Sequence, residues 1–215
     1  MNILLVGLVV AVLPATAELR QNLNAAQITI YTSFEQAPPD ALMTNLQHEV
    51  ESIMEPAGLQ FEWRTLGPDS ANHVSVELVV VTFKGSCEVG PPPLRYEDGP
   101  LGRTHTSDGE VLPFVEVDCN RLRGFLSTSL AAFEADQRQH VLGRAAARVL
   151  AHELFHVLLR TRKHGSFGVA KSCHTVHDLL ADTFRFEPKE QQLLRQTRTR
   201  LLSENAEATS PATGQ

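Results

Sequence analysis

The segment His152-Glu153-Leu154-Phe155-His156 constrains this chain more than any other stretch of it. On an α-helix residues i and i+4 stand one above the other, so the two imidazoles share one face. The preceding residues, GRAAARVLA, are small and apolar, and they put Ala145 and Val149 on that same face. Such a face has to be covered by the rest of the chain. The pattern predicts a buried central helix from about Arg138 to Arg160, opened by a capping box in which Asp136 and Gln139 take part.

Around this helix the chain alternates strand and helix signals. QITIYTSF (Gln27 to Phe34) reads as a first strand. After Pro38-Pro39-Asp40, the apolar positions Leu42, Leu46, Val50, Ile53 and Met54 recur at helical spacing until Pro56 and Gly58 stop them, and His48 falls on the outer side. Leu59 to Leu66 and the apolar run Val74 to Phe83 read as further strands, and Val111 to Asp118 as another. Between them Glu88 to Gly109 reads as a loop, broken by Pro91-Pro92-Pro93 and several glycines. Asn120 to Phe133 and Thr175 to Phe184 are expected to be helical, as is a segment opened by Pro188 and carrying Leu193, Leu194, Leu201 and Leu202. The fold class is therefore α+β: a mixed β-sheet with an early helix, a central helix bearing the histidines, and a C-terminal helical portion.

Residues 1–17, MNILLVGLVVAVLPATA, carry no charged side chain, and the apolar run Ile3 to Leu13 is too short to span a bilayer. It reads as a signal peptide cleaved after Ala15-Thr16-Ala17, although the lack of Lys or Arg before it leaves a retained N-terminal anchor as the alternative. Residues 18–203 then form one domain, and 204–215, small and polar, a disordered tail. The expected location is secreted or periplasmic, with no stable membrane insertion after cleavage. Export makes the three cysteines informative, since thiols in an oxidising compartment pair. Cys87 and Cys119 each end a strand-like run and are the favoured couple; Cys173 is left over. A net charge of −6 with scattered Lys and Arg argues against a nucleic-acid partner.

His152 and His156 on one helical face can share a metal ion, and zinc suits imidazole while leaving room for water when a third side chain completes the site. Glu153, rotated about 100° around the helix, reaches that water rather than the metal and is the candidate general base. The residues leave the third ligand open. His164 follows just after the expected helix end, whereas Asp178, with Asp182 one turn on, could serve from a second helix, and Cys173, His174 and His177 lie close in sequence. A zinc-dependent endopeptidase acting on protein or peptide substrates is the expected function. A zinc-binding or interaction protein without catalysis, and a gluzincin-like peptidase with Asp178 as ligand, are the alternatives.

The stretch HELFHVLLRTRKHGSFGVAKS resembles the zinc-binding segment of metzincin peptidases, especially matrixin-like ones and exported bacterial relatives with a longer spacer before the third histidine. The resemblance implies His152, His156 and His164 as ligands, Glu153 as general base, and Gly168-Val169-Ala170 in the place of the Met-containing turn beneath the metal. It also departs from the family: the spacer is two residues longer than the common one, Arg160 stands where longer-spaced relatives often have Gly, and Ala170 replaces Met. Leu101-Gly102-Arg103-Thr104-His105 resembles, more faintly, the edge strand on which a metzincin substrate pairs its backbone, with His105 exposed rather than a ligand.

Overall fold

The computed structural model describes residues 26–68, 70, 75, 77–90 and 99–209. The leader, its cleavage site and the last residues of the tail lie outside them.

Strand β1 (Ala26–Phe34) leads into helix α1 (Asp40–Met54), a short 3-10 turn (Glu55–Ala57) and strand β2 (Leu59–Thr65). Strand β3 (Glu77–Lys84), β4 (Gly102–Ser107) and β5 (Glu110–Asp118) complete a five-stranded sheet ordered β2-β1-β3-β5-β4. The first four in that order run parallel; β4 is antiparallel to β5 and forms one edge. Helices α2 (Cys119–Leu130), α3 (Ala135–Leu158), α4 (Val176–Leu180) and α5 (Pro188–Thr209) follow, with a 3-10 turn at Gly168–Ala170 between α3 and α4. The α+β layout with a mixed sheet, an early helix and a C-terminal helical portion is thus present.

The sheet alternates as its sequence dictates. Val79, Val81 and Phe83 of β3 are fully buried while their neighbours are not, and Val115 and Val117 of β5 continue the same inner face. On that face α1 and α3 pack together. A side chain at Gly143 of α3 would meet the Leu42 carbonyl oxygen at 3.0 Å, so this glycine sets how closely the two helices approach. Helix α3 is buried along nearly all of its last three quarters, Val141 to Leu158, as its small apolar sequence requires.

Several boundaries differ from expectation, each for a local reason. Helix α3 begins at Ala135, with no side-chain cap on Glu134, and the expected capping box does not form. Gln139 instead accepts from Val89 N and donates to Cys87 O, pinning the segment after β3 to the helix. The loop read over Glu88 to Gly109 contains β4, whose residues GRTHTS lack the apolar alternation that marks a strand because they occupy a solvent-facing edge. Helix α4 is a single turn, closed by a Thr175/Asp178 capping box, and ends at Leu180 rather than running to Phe184. Helix α5 continues to Thr209, into the stretch expected to be tail. A disulfide joins Cys87 to Cys119, stapling the end of β3 to the start of α2, and Cys173 is free and exposed. Among the described residues no helix is long and apolar enough to cross a membrane.

Candidate active site

The end of α3 brings His152, Glu153 and His156, all buried, to one side of an open cleft of about 630 Å³. Each ring is fixed by a backbone carbonyl. His152 Nδ1 donates to Val169 O at 2.7 Å, and His156 Nδ1 to Thr161 O at 2.8 Å. Carbonyl oxygens only accept, so both Nδ1 atoms carry the hydrogen and both Nε2 atoms carry a bare lone pair. Those two Nε2 atoms face each other at 3.2 Å. Burial pushes both rings below the ordinary imidazole pKa, His152 to about 4, and mutual repulsion with neighbouring histidines adds to the shift. Neither ring is therefore protonated to bridge the other at neutral pH.

His164 closes the cluster. Helix α3 ends at Leu158; Arg160 takes a left-handed conformation (φ 47°), Thr161 N returns to His156 O at 3.0 Å, and the chain doubles back. His164 then stands with its ring centroid 4.7 Å from that of His156 and 5.3 Å from that of His152. One ligand atom from each of the three histidines lies within 4.8 Å of the others. Two Nε2 acceptors with no donor between them and a third imidazole within reach fit a cation. The 3.2 Å between the first two nitrogens matches the ~3.3 Å expected of two nitrogens each about 2.0–2.1 Å from one tetrahedral zinc ion. The outer carbonyls on Nδ1 are the partners that orient metal-binding imidazoles.

The Gly168–Ala170 turn lies beneath this cluster and serves two of its members. Val169 O orients His152, and Ala170 O accepts from Gly165 N at 2.8 Å, beside His164. Ala170 is fully buried, and a side chain at Gly165 would come within 3.0 Å of its methyl. A longer residue at 170 would compete with the returning chain for that space.

Asp178 is not brought to the cluster. Its Oδ2 pairs with Lys171 Nζ at 2.7 Å and accepts from Thr175 N and Oγ1, each at 2.7 Å, which holds its carboxyl far below the usual carboxylate range. It is the N3 member of the α4 capping box. His105 points away from the cleft towards Glu116, at 3.3 Å, and His48 lies on α1 away from the site. His174 does line the cleft, its ring perpendicular to that of His152 at 5.1 Å and its Nε2 donating to Gly168 O at 3.2 Å.

Glu153 projects from the same helix towards β4. Burial raises its pKa to about 7, against the opposing effect of hydrogen bonds from Thr104. Thr104 Oγ1 donates to Glu153 Oε2 at 2.7 Å. Beyond the carboxylate the cleft is apolar, walled by Leu101, Val111, Phe125 and Val149, while Thr161, Arg162 and Ser172 line the histidine side. Thr104 and the carbonyls of Thr161 and Val169 escaped the sequence pattern. Backbone carbonyls have no residue signature, and Thr104 belongs to a strand hidden in an apparent loop.

Fold and site together define a three-histidine cluster with an adjoining buried carboxylate in an open cleft beside the edge strand of the sheet. No protein-family model matches the chain, and a search of curated proteins gives no significant match. Among solved structures it is similar to archaemetzincin from Methanopyrus kandleri, at 12% identity and a TM-score of 0.47, over 82% of this chain and 97% of that one.

Proposed function

We propose that this protein is a zinc-dependent endopeptidase in which His152, His156 and His164 hold the metal and Glu153 is the general base. The observation that carries the reading is the pair of Nε2 lone pairs facing each other at 3.2 Å with a third imidazole beside them and a buried carboxylate on the adjacent residue. Zinc held there supplies Lewis acidity, which activates water and polarises a carbonyl near neutral pH. Glu153, with a pKa lifted to about 7, is matched to take a proton from water and return it to the leaving amine. Among the described residues strand β4 has one neighbour, β5, so its outer edge can pair with the backbone of an extended peptide along the cleft. The apolar wall at Leu101, Val111, Phe125 and Val149 then receives a side chain of that peptide.

A matrixin-like member of the metzincins, exported from the cell by the leader at 1–17, is the finer form of this proposal. The HELFHVLLRTRKH segment supports the first part; the Cys87–Cys119 disulfide, which an oxidising compartment favours, supports the second. The substrates are proteins or peptides of that compartment. The test is zinc content of the purified protein together with cleavage of a mixed peptide library, run beside Glu153→Ala. One zinc per chain, cleavage by the wild type and none by Glu153→Ala are expected. Full zinc occupancy without cleavage by the wild type would overturn the peptidase reading and leave a metal-binding protein.

A further inference from the structure

Strand β4 does more than border the cleft. Its inward positions, Gly102, Thr104 and Thr106, face the pocket, whereas Arg103 and His105 turn outward to Glu116. Pairing with β5 is broken at this point: Thr104 sits opposite Val115, yet Thr106 sits opposite Val111, so the ladder slips between them. Pro113, which has no N–H to give a ladder, lies in the skipped stretch of β5. The surplus residues lie on β5, so β4 keeps its alternation through the slip and Thr104 still faces the cleft. Here the residue at the slip is Thr104, whose hydroxyl lies 2.7 Å from Glu153 Oε2 and 3.2 Å from Glu153 O. A hydroxyl has one hydrogen to give, and the shorter, charge-assisted bond to the carboxylate takes it.

The second carboxylate oxygen is bounded by the same strand. A methyl at Gly102 would stand 2.8 Å from Glu153 Oε1, 2.9 Å from its Cγ and 2.6 Å from Val149 Cγ1. Glu153 is thus gripped by two residues two apart on one edge strand, Gly102 by contact and Thr104 by hydrogen bonds from its hydroxyl and its backbone N–H. A glutamate side chain has several rotamers to lose, and without such a grip its carboxylate could swing off the reacting water.

We propose that Thr104 is a positioning residue for the general base: β4 holds the Glu153 carboxylate in its productive orientation through the Thr104 hydroxyl, so that the strand that receives the substrate also sets the base. The role rests on the peptidase reading of the site. Thr104→Val keeps the shape and removes the hydroxyl; Thr104→Ser restores it. Thr104→Val should keep one zinc per chain and lower kcat about tenfold with KM within about twofold, the loss of one charge-assisted hydrogen bond. Thr104→Ser should recover most of the rate. The second readout needs no turnover: binding of acetohydroxamate, a zinc chelator whose N–H and O–H can bond a neighbouring carboxylate, measured by calorimetry on the zinc-loaded protein. Thr104→Val should weaken it about tenfold in the wild-type background and less than about twofold in Glu153→Ala, because the hydroxyl acts through Glu153. Equal weakening in both backgrounds, or a Thr104→Ser protein that behaves like Thr104→Val, would overturn the proposal. A wild type that binds zinc and hydroxamate but cleaves no peptide would remove the peptidase reading while leaving this coupling measurable.

Discussion

Arg148 lies one helical turn before His152 and is 1% exposed, and its Nε donates to Glu49 Oε1 at 2.7 Å. Its Nη1 reaches the carbonyls of Leu179 and Ala181 at 3.1 and 2.7 Å, and its guanidinium covers the Phe184 ring at 5.2 Å. One buried cation thereby ties α3 to α1 and to the segment that follows the Gly168–Ala170 turn. Removing one member of such a pair strands a buried charge. Glu49→Ala should lower the unfolding free energy by about 3 kcal/mol, the lower end of the range because the Glu49 side chain keeps some solvent contact. Urea denaturation measures it. Arg148→Met with Glu49→Leu should recover only part of the loss, since the carbonyls of Leu179 and Ala181 would then lose their donor.

The choice between His164 and Asp178 as third ligand has a clean experimental form, because the two side chains do different work. His164→Ala should weaken zinc binding by more than ~100-fold, beyond the cost of losing an outer partner of a ligand. Asp178→Asn should leave zinc stoichiometry and affinity close to wild type while costing about 1 kcal/mol through the damaged Thr175/Asp178 capping box. Competition with a chromogenic chelator reads the affinities, and thermal unfolding reads the stability. A zinc affinity lowered by Asp178→Asn and untouched by His164→Ala would reverse the assignment.

How far the sequence reached, and where it stopped, follows from the kind of signal each feature leaves. Helical spacing marks α1 and α3 because buried helical faces repeat every third or fourth residue, whereas β1, β3 and β5 stand out as short runs of apolar and β-branched residues. Cys87 and Cys119 could be paired because each closes a strand-like run. Strand β4 was hidden, since an edge strand built from Gly102, Arg103, Thr104 and His105 has no apolar period; only the family resemblance pointed to it. The place of His164 in the cluster is ambiguous in the sequence because it depends on a turn at Arg160 that nothing in the identity of an arginine announces. Asp178 looked like a ligand candidate by spacing alone, and its actual partners, Lys171 and Thr175, show that a carboxylate near a helix start is often a cap first.

Glu153 also sets a pH dependence of the metal-free protein. Its pKa is about 7 when folded, against 4.5 for the free group. The folded chain therefore holds this proton to higher pH than the unfolded chain, and burying the charged form costs stability that grows as pH rises from 4.5 through about 7. Glu153→Gln removes that cost. Relative to wild type, the metal-free variant should be equally stable at pH 4 and progressively more stable up to pH 8, reaching at most about 3 kcal/mol. His152, whose pKa falls from 6.5 to about 4 on burial, works in the opposite sense. Its stability contribution is present above 6.5 and lost towards 4, but it is common to both proteins and cancels in the difference. Chemical denaturation across this pH range after chelation of the metal measures the gap; a gap that narrowed with rising pH would contradict the buried-carboxylate account.

Arg160 and Gly168 share a left-handed backbone, with φ of 47° and 61°, and call for opposite expectations on substitution. Arg160 carries a Cβ in that region, at an exposed turn where its own side chain is largely in solvent and its ion pair with Glu77 is long, 3.9 Å. Arg160→Gly should relieve the local strain and, after the added freedom of the unfolded chain is subtracted, stabilise the protein by about 0.5–1 kcal/mol. Gly168 has no such latitude, because a Cβ there would stand 2.1 Å from the Arg185 carbonyl oxygen, against rigid backbone that also receives Val169 N at 3.1 Å. Gly168→Ala should therefore cost more than the ~1–2 kcal/mol of the conformation alone. It should also displace Val169 O from His152 Nδ1 and weaken zinc binding about 10–100-fold, as loss of an outer hydrogen bond to a ligand does. Measured together, unfolding midpoints and zinc affinity separate the two effects: Arg160→Gly should move only the first, and Gly168→Ala both.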